Sequence, residues 1–282
     1  MIRLLAVDMD GTCLNPKHEI SPRTLQALEE AAKAGIWVVP TTGRSLSCLP
    51  HQLRGLGFLR YAISSNGAMV TDLQTGRCVY RALLPRDTAV SILRTLSPLR
   101  VGMTAHVNHG YWIQGRGLWL LGQAIYGADG RDSLQVPHLV QALLRQPWNV
   151  EELQIFFVSD HTRRQVRSRL KRWESVCHTA YDRNYVEIYA KKASKGNALQ
   201  ALARYLQVPM EQVACIGDGE NDLSMFQVSG LKMAMGNAVL DLQAQADVLL
   251  PTNGEDGVAE GIYTHILQPP ADLLDSLPNE EQ

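Results

Sequence analysis

The chain lacks most of the features that would mark it at first sight. Its 282 residues hold five widely spaced cysteines (Cys13, Cys48, Cys78, Cys177 and Cys215), an odd number with no CxxC pair. That argues against a disulfide framework or a zinc knuckle and fits a reducing cytoplasm. Net charge is only −1 at pH 7, so no basic field invites nucleic acid or an anionic membrane. Long apolar runs are missing too: glycine or charge interrupts each one well before it could span a membrane. The opening run meets Asp8 before a signal-peptide core could form. Repeats and low-complexity tracts are also absent. What is present is globular in character: 45% hydrophobic and 20% charged residues, with length for about two domains.

Residues 2–7 read as a short buried strand ended by a turn. Ser21-Pro22 opens a helix, with serine as N-cap and proline at the first helical position. Leu25, Leu28 and Ala32 give that helix an apolar stripe, and Gly35 stops it. Residues 36–42 form the next strand, although Pro40 is awkward in a central position. A helical stretch at 45–53 and a strand at 61–65 follow. Strand alternating with helix implies a parallel sheet with helices on its faces.

The pattern then changes. AMVTD and RCVYRA flank the turn LQTG as a β-hairpin. From about residue 85 to 187 the signals are mixed: a helix at 86–96, strands near 100–107 and 111–114, then further helices. A strand at 153–158, a helix at 161–173 and strands near 178–181 and 186–189 complete this stretch. Regular alternation resumes after Ala190, with helices at 195–206, 221–228 and 238–246 and strands at 213–217, 231–235 and 248–250. The last 15 or so residues are rich in proline and acid and read as a loose tail. The expected fold is α/β: a Rossmann-like parallel-sheet core from residues 1–84 and 190–282, with an α+β domain at 85–189 inserted.

Ligands of open parallel sheets bind beyond the carboxyl ends of the strands. Asp8 and Asp10 follow the first strand, Thr42-Gly43-Arg44 the second and Ser65-Asn66-Gly67 the third. Gly217-Asp218-Gly219-Glu220-Asn221-Asp222 follow the strand at 213–217, and Lys195 begins a helix just before it. Crowding Asp8, Asp10, Asp218 and Asp222 is costly unless a cation binds or a carboxyl is protonated. Hard oxygen ligands favour Mg²⁺. Lys195, the Thr42 hydroxyl and backbone N–H groups would complete a phosphate cradle. A carboxylate facing a phosphoryl group can attack it, and a second carboxyl two residues on can move the protons.

Other residues have two readings. Arg44 is as readily a solvated or ion-paired side chain as a site residue, and Ser65-Asn66-Gly67 as readily a plain turn. His106 and His109 are read as hairpin and core residues rather than as a metal site. Tyr185 and Glu187 lie close to the return to the core, where strand packing and solvent exposure account for them.

DMDGT (8–12), TGR (42–44), SNGA (65–68), KGNAL (195–199) and GDGENDLSM (217–225) occur in that order, with AMGNA (234–238) downstream. In order and spacing the set resembles the haloacid dehalogenase superfamily, and within it the Cof-type phosphatases, whose large cap is inserted between the second and third motifs. The resemblance implies a cytoplasmic Mg²⁺-dependent phosphatase acting on a small phosphate monoester (a sugar phosphate, nucleotide or phosphorylated cofactor) through an aspartyl-phosphate. It implies Asp8 as nucleophile and metal ligand, and Asp10 as general acid/base with its backbone carbonyl on the metal. Met9, Thr42, Gly43, Lys195 and Asn221 would bind the phosphate and Asp218 the metal, with Asp222 behind them on Lys195 or metal-bound water. The partner would be a small phosphorylated metabolite, neither nucleic acid nor membrane, and the protein a monomer or homodimer. Cys13 departs from the usual aliphatic residue and reads as a small buried hydrophobe. Two rivals stay open: a phosphomutase or phosphotransferase on the same scaffold, and a phosphate-ligand sensor without turnover.

Overall fold

A computed structural model describes residues 1–179 and 184–267. Part of the strand expected at 178–181 and the expected tail lie outside the described residues. The first elements are β1 (Leu4–Asp8), α1 (Pro22–Lys33), β2 (Trp37–Thr41), β3 (Tyr61–Ser64), β4 (Met69–Asp72) and β5 (Cys78–Arg81). Helix α1 begins as its sequence requires: Ser21 Oγ accepts from the Thr24 N–H at 3.0 Å, and Pro22 fills the first turn. Then come α2 (Arg86–Leu96), β6 (Gly102–Val107), β7 (Gly110–Gln114), α3 (Arg116–Tyr126), β8 (Leu134–Val136) and α4 (Leu139–Leu144). They are followed by β9 (Val150–Phe156), α5 (Asp160–Leu170), β10 (Val176–Thr179) and β11 (Tyr185–Ala190). The chain closes with α6 (Lys195–Tyr205), β12 (Val213–Gly217), α7 (Leu223–Phe226), β13 (Leu231–Ala234), α8 (Leu240–Gln243), β14 (Val248–Leu249) and α9 (Gly257–His265).

These strands build two sheets. The larger runs β14-β13-β12-β1-β2-β3-β4-β5, so the strand from the start of the chain lies beside one that begins at Val213. It is parallel from β14 to β3, and β4 and β5 return antiparallel. β1 is buried throughout, because both its edges are paired and both its faces are covered. The smaller sheet runs β10-β11-β9-β6-β7-β8 and is antiparallel except where β8 joins β7.

Alternation gives the smaller sheet two unlike faces. Met103, Ala105 and Val107, Leu153 and Ile155, and Val186 and Ile188 point one way, into an apolar core shared with α2, α4 and α5. Thr104, His106, Glu152, Gln154 and Glu187 occupy the alternate positions. This polar face looks onto the carboxyl edge of the larger sheet, across a cavity of about 830 Å³ lined by both.

Several expected elements differ in the structure. The helix expected at 45–53 is a pair of 3₁₀ turns, Leu46–Cys48 and His51–Leu53, because Pro50 between them has no N–H to continue a helix. The helices expected at 221–228 and 238–246 are reduced to α7 and α8. Each tightens into i→i+3 bonds, from the Val228 N–H to the Met225 carbonyl and from the Ala246 N–H to the Gln243 carbonyl, before the next strand. Pro40 does sit inside β2, paired in register with Val7. Its nitrogen lies on the β3 side, where the ladder is reduced to the Thr41–Ile63 bridge and the Thr42 N–H bond to the Ile63 carbonyl. β9 starts at Val150, earlier than expected, because Val150 also bridges Leu84.

Candidate active site

Four connections meet at the carboxyl edge of the larger sheet. β1 ends on Asp8, which is 5% exposed. Lys195 opens α6 and is buried, held at the helix start by Ser194, whose Oγ accepts from the Asn197 N–H. Its ammonium donates to Asp8 Oδ1 and, at 2.7 Å, to Asp222 Oδ1. The other Asp222 oxygen accepts the Asp218 and Gly219 N–H groups, each at 3.0 Å. Both oxygens of Asp222 are therefore committed to shaping the loop after β12.

Asp218 is anchored by Thr12, whose hydroxyl donates to its Oδ1 at 2.7 Å. Gly11 makes that approach possible. It has φ +83°, and a Cβ there would fall 2.2 Å from Asp218 Oδ2. Carboxylate oxygens of Asp8, Asp218 and Asp222 lie within 4.8 Å of one another. Burial, then Asp222, pushes the Asp8 carboxyl well above the usual range, although Lys195 pulls the other way. Asp218 is raised to about 6, chiefly by burial. Burial works against the Lys195 charge, but Asp222 and Asp8 outweigh it and raise its pKa. Three carboxylates around one ammonium leave an excess of negative charge, and their hard oxygens suit a divalent cation such as Mg²⁺.

Asp10 points elsewhere. Both its oxygens are gripped by the Arg44 guanidinium, at 2.8 Å from Nε to Oδ2 and 2.6 Å from Nη2 to Oδ1. Arg44 is buried, and the ion-paired reading is the one the structure bears out. Met9 buries its side chain in the core, so only its backbone can face a ligand. Thr42 is fully buried, and its Oγ1 accepts the Arg44 N–H at 3.1 Å. Gly43 and Asn221 line the cavity together with Asp8, Asp10 and Asp218.

The Ser65-Asn66-Gly67 turn joins the two sheets. All three residues have positive φ: 50°, 53° and 87°. Asn66 Oδ1 accepts from Asn221 Nδ2 at 3.0 Å, while its Nδ2 donates to Glu152 at 2.8 Å and Glu187 at 3.0 Å. Ser65 Oγ donates to Glu151 at 2.6 Å and lies 3.1 Å from His106 Nδ1. His106 is thus a packed partner of this turn, its pKa lowered to about 3 by burial. Glu187 is not a solvent-exposed strand residue: it is 6% exposed, lines the cavity, and is raised to about 8 by burial. Tyr185 lines the same cavity.

Sequence reasoning passed over Glu152 and Asp129. Glu152 had a usable signal, since EELQIF alternates and sets Glu152 and Gln154 opposite Leu153 and Ile155. Asp129 had none, lying in a short Gly-Ala-Asp-Gly turn far along the chain from the residue it meets, Arg44.

Comparison with known proteins agrees with this geometry. The family described as haloacid dehalogenase-like hydrolase matches residues 5–262. Phosphatase YwpJ of Bacillus subtilis is 31% identical over 302 residues, covering 94% of this chain and 100% of that protein. The 5-amino-6-(5-phospho-D-ribitylamino)uracil phosphatase YcsE of B. subtilis is 29% identical, covering 94% and 96%. Among solved structures, a haloacid dehalogenase-like hydrolase from B. subtilis superposes with a TM-score of 0.83 at 28% identity, over 94% of this chain and 100% of that one. The chain therefore belongs to the haloacid dehalogenase-like hydrolases, among their phosphatases.

Proposed function

We propose that the protein hydrolyses a small phosphate monoester through a phosphoryl group carried on Asp8. One observation carries the reading: the Asp8 carboxylate stands at the end of β1 with the Lys195 ammonium on it and the Asp218 carboxylate beside it. Lys195 offsets charge on the phosphoryl oxygens, and Gly43, Asn221 and the backbone after Asp8 bind them. An Asp8 oxygen forms a bond to phosphorus as the bond to the leaving oxygen breaks, and Asp10 gives that oxygen its proton. Asp10 then takes a proton from water as the water oxygen attacks phosphorus, which frees phosphate and restores Asp8. The carboxylates of Asp8 and Asp218 with the Asp10 carbonyl would hold Mg²⁺, whose charge would stabilise the phosphoryl group in transfer. Thr42 supports the phosphate loop from below through Arg44.

The smaller sheet and its helices act as a cap, with residues near Pro85 and Ala190 as the hinge. Their polar face excludes bulk water and selects the leaving group. The relatives support a small metabolite as substrate: one is named for a phosphoribitylamino-uracil, and HMP-PP phosphatases are 28–30% identical. The test is phosphate release from p-nitrophenyl phosphate and a panel of phosphorylated metabolites, with Mg²⁺ and with a chelator. Metal-dependent release without any added acceptor supports hydrolysis over transfer or mere binding. No release from any member of the panel overturns it.

A further inference from the structure

Asp129 lies in the Gly127–Gly130 turn after α3, on the cap side of the cavity, yet it is tied to the catalytic edge. Its Oδ2 accepts from Arg44 Nη1 at 2.8 Å. The remaining two arms of that guanidinium, Nε and Nη2, hold the two oxygens of Asp10. Asp129 is itself fixed: its Oδ1 accepts the His51 N–H at 2.8 Å and lies 2.9 Å from His51 Nδ1. Arg44 Nη1 also reaches the Cys48 carbonyl at 3.3 Å, and the Tyr126 ring lies 5.4 Å from the guanidinium carbon. A planar fork with every arm assigned has one orientation, and here it is set from both sides of the cavity.

Asp10 cannot deliver a proton to a leaving oxygen while Arg44 holds both its oxygens. The strength and direction of that hold depend on what else Arg44 binds. One positive charge divided between two carboxylates grips each less firmly than an undivided one. We propose that Asp129 is a positioning residue that sets the Asp10 carboxylate through Arg44, linking cap seating to proton transfer. The inference rests on the reading of Asp10 as proton donor. In the step it controls, the Asp10 O–H bond breaks, the proton goes to the leaving oxygen, and that oxygen keeps the electron pair of the breaking P–O bond. The Asp8–phosphorus bond forms in the same step.

Leaving groups differ in their need for that proton. p-Nitrophenolate departs without a proton, whereas an alkoxide needs one. Asp129→Asn should therefore slow the first turnover of an alkyl phosphate, read as leaving-alcohol release in a rapid quench, by at least about tenfold and leave the p-nitrophenolate burst within about twofold, because hydrolysis of the phospho-aspartate is common to both substrates. Asp129→Ser removes the carboxylate with a smaller side chain and should give the same split. Thermal unfolding of both variants reads whether either loss is merely structural. In the cycle with Arg44→Lys, adding Asp129→Asn should cost the alkyl substrate no more than Arg44→Lys alone. Equal first-turnover losses on both substrates, additive losses in the cycle, or no loss would overturn the inference. Wild-type protein that releases phosphate from neither substrate would sink the phosphatase reading instead, which keeps the two failures apart.

Discussion

Lys195 donates to Asp8 from 187 residues further along the chain, and the same ammonium holds Asp222. All three side chains are buried, and among the described residues the lysine is the one full positive charge in the hydrogen bonds that hold these carboxylates. A buried charge whose partner is removed is far costlier than the pair itself.

Lys195→Met should accordingly lower unfolding free energy by about 3–5 kcal/mol, because it strands Asp8 and Asp222 away from water. Urea unfolding at neutral pH measures this. A loss below about 0.5 kcal/mol, the size of a surface substitution, would mean that the three groups are not a buried cluster.

The parts of this site that sequence made legible are those fixed by local pattern. A short apolar run ending in Asp8, and a helix opening at Lys195, place their residues at strand and helix ends without help from the rest of the fold. Arg44, Asn66 and Asp129 were not legible in the same way. Their roles come from partners 34 to 155 residues away, and an arginine, a turn asparagine and a turn aspartate look alike in any loop. The helix expected at 45–53 failed on Pro50, whose lost N–H outweighed the helical pattern around it.

Glu187 predicts a pH dependence of stability. Its carboxyl is raised by burial from the ordinary 4.5 to about 8, facing Asn66 and Glu152, with Lys195 lowering it and Asp10 raising it. Between those values the folded protein holds a proton that the unfolded chain has lost. Stability is therefore full below about 4.5 and falls as pH rises through about 8. Glu152, also raised by burial and by Glu187, and Asp8, raised by burial and by Asp222, add with the same sign. His106, lowered to about 3, acts oppositely, gaining stability with rising pH up to its ordinary 6.5. The clean window is thus pH 6.5 to 8. There the wild type should lose stability, on the order of 1 kcal/mol per pH unit, and Glu187→Gln should lose less. Parallel curves for the two proteins would contradict the assignment.

Gly67 carries a steric prediction. Its φ is +87°, and a Cβ would lie 2.1 Å from the Ser194 carbonyl oxygen, against the N-cap of α6. Gly67→Ala must push that cap away and move Lys195 with it. The expected cost is about 2 kcal/mol or more, together with a fall in kcat larger than any change in KM. A variant with wild-type unfolding and kcat would show that the turn does not fix the helix start.

The central claim is that Asp8 carries the phosphoryl group, and acid-quenched mass spectrometry tests it most directly. Asp10→Asn protein, slowed in the second step, is mixed with p-nitrophenyl phosphate and Mg²⁺, quenched within one turnover and digested. The account predicts the mass of one phosphoryl group on the peptide containing Asp8, and none when Asp8 is replaced by asparagine. Steady release of phosphate by the wild type with Asp8 never modified, or near-wild-type turnover by Asp8→Asn, would contradict it.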